Sequence, residues 1–152
     1  MPLPRRRFLM MAAALPAVTL VPQIVLAATP SVYADDGIAV DGTDVVAYFT
    51  QGAPVAGDRD ITHPWNGVIW RFSSTENREA FAADPEKYAP QYGGYCAYAV
   101  SEGYTASTTP AAWRIEDGKL YLNYSRRVQR RWERDIPGRI AAADANWPDV
   151  LK

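Results

Sequence analysis

The strongest local constraint in this chain is a dipeptide. Asn66-Gly67 stands between two apolar-rich runs, residues 61–65 and 68–72. Asn-Gly is favoured at the centre of a two-residue hairpin, where both residues need positive φ and the turn's twist matches that of the flanking strands. The pair predicts an antiparallel hairpin in which Trp65 faces Val68, His63 faces Trp70 and Ile61 faces Phe72. Those six side chains form the core face. Thr62, Pro64, Ile69 and Arg71 fall on the other side, and Pro64, which has no amide hydrogen, marks its strand as a sheet edge. Asp117-Gly118 repeats the signal between residues 113–116 and 119–124.

The remaining elements follow from composition and caps. Residues 45–50, Val-Val-Ala-Tyr-Phe-Thr, are rich in strand formers and are expected as a strand, with a loop over 52–57. Ser73 or Ser74, with Glu76 or Asn77, caps a short helix whose apolar stripe begins at Phe81, and Asp84-Pro85 restarts a second turn against which Tyr88 packs. Ser125 caps a helix with Val128, Trp132 and Ile136 on its buried face; Pro137-Gly138 is expected to end it before a last helical stretch over 139–146. Residues 28–37 are small and polar and read as a linker. The predicted class is α+β: a small antiparallel sheet of two hairpins packed by short helices, with a C-terminal helical extension.

The first 27 residues read as an export signal outside the fold. Arg5, Arg6 and Arg7 run into an uncharged stretch over 8–26, and Val25-Leu26-Ala27 suits signal peptidase. Arg5-Arg6-Arg7-Phe8-Leu9 follows the twin-arginine pattern, an ordinary secretory signal being the alternative. Pro16 and Pro22 interrupt an apolar run only just long enough to span a bilayer, so cleavage near Ala27 is expected over anchoring. The product is then periplasmic, with no stable membrane span. Cleavage leaves 125 of the 152 residues, the size of one domain. It turns 16 basic against 17 acidic residues into 13 against 17, a balance that argues against a nucleic-acid partner. All three methionines go with the signal, and Cys96 stays as a lone thiol that cannot close an internal disulfide.

Trp65-Asn66-Gly67-Val68-Ile69-Trp70-Arg71-Phe72-Ser73-Ser74, followed by Asn77, Phe81, Asp84-Pro85 and Tyr88, resembles a YHS domain. Gly42-Thr43-Asp44-Val45-Val46-Ala47-Tyr48-Phe49 resembles the opening of that family. The likeness covers residues 42–88 of a single domain over 38–152, and 89–152 is similar to the extension of stand-alone exported members. It implies a small metal-binding module. Metal-binding members carry a cysteine after the Phe and another four residues on; here those positions are Ser73 and Asn77, whose neutral oxygens suit soft metals poorly. Val45 stands in place of the family's Pro, and Ala47 in place of a Cys found in some members.

Chemistry-bearing residues are few. Cys96 and the only histidine, His63, are the candidate metal ligands, and copper is the ion that the resemblance implies. Together they would supply half a copper or zinc site; a Cys-His-Met set is excluded without a methionine. Cys96 is otherwise a small buried hydrophobe, or a redox nucleophile with His63 as base, and His63 is otherwise a core residue. Tyr92, Tyr95 and Tyr98 surround Gly93-Gly94 and, with Tyr104, are candidates to line a cofactor pocket or to ligate ferric iron or haem, core packing being the alternative. Arg126, Arg127, Arg130, Arg131 and Arg134 make a basic helix side for an anionic or protein partner, or else a solvated face paired with Glu133 and Asp135. One histidine and no Gly-x-Ser-x-Gly elbow argue against a hydrolase triad, and no catalytic residue is assigned. The expected function is an exported module that binds a transition metal, copper above all, for handling or delivery. The alternatives are a thiol-dependent redox enzyme and a ligand-free partner-binding domain.

Overall fold

The computed structural model describes residues 18, 20–24 and 27–152. Arg5, Arg6, Arg7 and most of the apolar run read as an export signal lie outside the described residues. Among the described residues no helix is long and apolar enough to cross a membrane.

The chain folds as an α+β domain around the two expected hairpins. Strand β3 (Asp58–Trp65) and β4 (Val68–Phe72) turn on Asn66 and Gly67, both at positive φ (50° and 78°). Trp65 pairs with Val68 and His63 with Trp70, in the register that the turn dictates. Phe72 lies opposite Asp58 instead of the expected Ile61, because the register shifts between Asp58 and Thr62 and a bulge takes up the extra residues. β3 is the outer strand, as Pro64 requires. On the inner side β4 meets β2 (Ile38–Ala39) in parallel, and β1 (Ala34–Asp35) closes antiparallel on β2, so this sheet is mixed where an antiparallel one was expected. β5 (Trp113–Glu116) and β6 (Lys119–Leu122) form the second hairpin around Asp117 and Gly118.

Three further expectations are corrected. Val45–Thr50 is helix α1, not a strand. Valine loses less than about 0.7 kcal/mol against alanine in a helix, while a side-chain cap contributes about 1 kcal/mol. Asp44 supplies that cap, accepting the N–H groups of Val46 and Ala47 at 2.9 and 3.3 Å. Val45, Val46, Ala47 and Tyr48 are all buried, which erases the amphipathic period that would have disclosed a helix. Second, Pro137 opens a helix instead of closing one. Helix α5 (Arg126–Trp132), capped by Ser125, passes through a tight turn over Glu133–Asp135 into helix α6 (Ile136–Asn146). There Asp135 accepts the Gly138 N–H at 3.1 Å, and proline sits where no amide donor is needed. Third, the segment read as a linker is part of the body. Val32 is buried in the core, Tyr33 N–H donates to the Gly93 carbonyl at 2.9 Å, and Thr29 N–H reaches the Leu151 carbonyl at 3.3 Å.

Two of the other helices start where the sequence places them, the second without a side-chain hydrogen bond from its expected cap, Asp84. Ser74 accepts the Asn77 N–H at the start of α2 (Thr75–Ala83), and α3 (Pro85–Tyr88) follows Asp84. Helix α4 (Ala97–Ser101) lies against α6. Two apolar clusters result. Val45, Tyr48, Trp70, Phe72 and Phe81 form one, and Tyr92, Tyr95, Val100, Trp132 and Ala143 the other. β6 joins them by simple alternation, sending Leu120 and Leu122 into the first cluster and Tyr121 into the second.

Candidate functional site

The most densely bonded polar group in the domain is the Asp44 carboxylate, which is fully buried. Oδ1 caps α1. Oδ2 accepts three donors: Ser73 N–H at 2.8 Å, the Ser73 hydroxyl at 2.6 Å and Asn77 Nδ2 at 2.8 Å. A buried anion must recover its lost hydration from fixed donors, and five of them converge here. The cluster ties α1 to the end of β4 and the first turn of α2. Ser73 and Asn77 are the positions to which the family resemblance assigns thiolates. Here the Ser73 amide and hydroxyl and the Asn77 side-chain nitrogen donate to Asp44. The donor set does not fit a soft metal ion.

Cys96 and His63 belong to different neighbourhoods. The His63 ring lies edge-on to Phe81 on the first hairpin, with 6.0 Å between centroids. Cys96 stands before α4, only 1% exposed; its thiol donates to Asn123 Oδ1 at 3.6 Å and its sulfur accepts the Tyr124 N–H at 3.3 Å. Burial pushes the thiol pKa up, outweighing the backbone donors that would lower it, so the group is a thiol at neutral pH. Sulfur caps a helix poorly. Asn123 does it instead from the end of β6, with the same Oδ1 accepting the Tyr98 N–H in the first turn of α4 at 3.1 Å. Among the described residues no three His, Cys, Asp or Glu side chains gather as a metal site requires.

The tyrosines separate likewise. The Tyr92 hydroxyl donates to Asp144 Oδ1 at 2.9 Å and the Tyr95 hydroxyl to the Pro30 carbonyl at 2.8 Å. Burial raises both pKa values, and the Asp144 acceptor adds to the effect at Tyr92, so neither is disposed to become a phenolate ligand. Tyr98 is placed differently, its ring beneath the Arg139 guanidinium at 4.4 Å.

Tyr98 also lines a pocket of about 260 Å³ with Cys96, Tyr104, Tyr124, Val128 and Arg131. From residue 27 onward, Tyr104 and Tyr124 are the two large hydrophobic residues left exposed, at 52% and 55%, and both edge this pocket. Arg126, Arg127, Arg130, Arg131 and Arg134 are all exposed. The expected pairing with Glu133 and Asp135 does not form: Glu133 bonds Arg114 at 2.8 Å and Asp135 caps α6. Asp44, Asn123, Tyr124 and Arg139 were not legible as site residues; the signal available for Asp44 was an aspartate one residue before an apolar run, the usual mark of a helix cap. No family model matches the chain, and neither a curated protein nor a solved structure is similar enough to count as a match.

Proposed function

We propose that this chain is an exported, non-catalytic binding module of YHS type whose ligand site is the pocket between α4 and α5 and not the corner held by Asp44. The observation that carries the reading is the placement of Tyr104 and Tyr124. Exposed aromatic rings cost solvation unless something covers them, and two rings at one concave site beside a buried apolar floor match the make-up of small-ligand pockets. A protonated Cys96 at the start of α4, with His63 apart from it on the first hairpin, supports binding over thiol catalysis.

The test is an amide-shift titration of the folded protein with phenol as a bare-ring probe. Shifts are expected at Tyr98, Tyr104, Tyr124 and Val128, and Val128→Phe, which fills the pocket, is expected to abolish them. Shifts spread over the surface would overturn the reading. So would a melting point raised by Cu(I) or Zn²⁺ in the wild type and not in Cys96→Ser, which would restore metal handling as the function.

A further inference from the structure

We propose that the pocket over Cys96 and the arginine-lined cleft beside it form one site for a small amphiphilic anion, a phosphate, sulfate or carboxylate bearing an aromatic or short apolar group. The proposal rests on the reading of the pocket as a ligand site and adds the charge of the ligand. The cleft, about 520 Å³, is lined by Tyr98, Arg131, Arg134, Asp135 and Arg139 among others. Tyr98 and Arg131 line both cavities, so the two adjoin at one ring and one guanidinium. The cleft's size lies in the range of small-molecule sites, and the pocket adds about 260 Å³ beside it.

The cleft's charges divide into fixed and free. Arg139 is fixed: it stacks on Tyr98, donates to Ser101 Oγ at 3.1 Å and pairs with Glu102. Asp135, the carboxylate in the cleft, is engaged in capping Gly138 N–H. Arg131 and Arg134 have no hydrogen-bonded or ionic partner among the described residues. They stand three apart across the end of α5, close enough to repel each other, and an anion between them relieves that repulsion. A guanidinium presents its donors in a planar fork suited to two oxygens of one oxyanion. On the other side of Arg131 the surface changes to Tyr104, Tyr124 and Val128, which carry no charge and offer apolar surface on which a ring can pack. Head and tail are thus specified within one contiguous site.

Calorimetry with three probes tests this. Phenyl phosphate, carrying head and ring, is expected to bind at least about tenfold more tightly than inorganic phosphate or phenol, and to weaken as salt rises. Arg131→Gln/Arg134→Gln is expected to bring phenyl phosphate down to the level that phenol shows with the same variant. Arg126→Gln/Arg127→Gln, on the same helix but outside the cleft, is expected to change nothing. Phenol and phenyl phosphate binding alike to the wild type would overturn this inference and leave the pocket reading standing. Binding of none of the three probes would overturn both. Equal losses from the two double variants would reduce the effect to general charge and overturn the site.

Discussion

Asp44 does by itself what a pair of metal-bound thiolates would do: it draws the end of β4 and the start of α2 onto a neighbouring element. Its five donors replace water around a carboxylate that has none of its own exposed. Asp44→Ala leaves those donors facing an apolar gap, and Asp44→Asn presents an amide NH2 donor to some of them. Each substitution is expected to cost about 3 kcal/mol or more, measured as a lower urea midpoint at unchanged slope. Ser73→Ala removes one hydroxyl and is expected to cost about 1 kcal/mol. Losses of similar size for Asp44→Ala and Ser73→Ala would show that the carboxylate is not the centre of the cluster.

Among the elements, the segment Tyr92-Gly93-Gly94 sets the tightest requirement. All three residues have positive φ. A Cβ on Gly93 would come within 2.0 Å of the Ser31 carbonyl oxygen, while one on Gly118, also at positive φ, meets open space. Gly93→Ala and Gly118→Ala therefore share the backbone penalty of about 1 kcal/mol and differ by the clash. Gly93→Ala is expected to cost at least about 2 kcal/mol more, and to speed hydrogen exchange at Tyr33 N–H, which bonds Gly93. Equal costs would mean that the N-terminal segment yields without loss. The hairpins could be read from sequence because Asn-Gly and Asp-Gly constrain backbone angles locally. Helix α1 could not, since its burial on every side is a tertiary fact that hides the helical period, and its local Asp44 cap stands before a run of strand formers. Nor could the role of residues 29–33, whose partners lie some sixty residues or more away at Gly93, Tyr95 and Leu151. The arginines were visible as a stripe, but which two of them face a cleft depends on α6 folding back along them.

For the molecule as a whole, two apolar clusters joined through β6 bury several tyrosine hydroxyls, and this sets an alkaline limit to the fold. Burial pushes the pKa of Tyr48 and Tyr92 well above the ordinary value of about 10, with Asp41 and Asp144 respectively adding to it, and raises Tyr95 and Tyr121 as well. The folded state thus holds protons that the unfolded chain releases above pH 10. Stability is therefore fully present below about pH 10 and falls as the pH rises beyond it. The phenolate absorbance of these tyrosines is expected to appear together with the loss of circular dichroism. Their ionisation in a protein that is still folded would contradict the burial argument. The hydrogen bond between Thr29 and Leu151 carries a different consequence. It brings the two ends of the folded body side by side, so a short peptide could join them into a ring. Opening that ring at Asp117-Gly118 would make a circular permutant with every core contact kept and only the order of the chain changed.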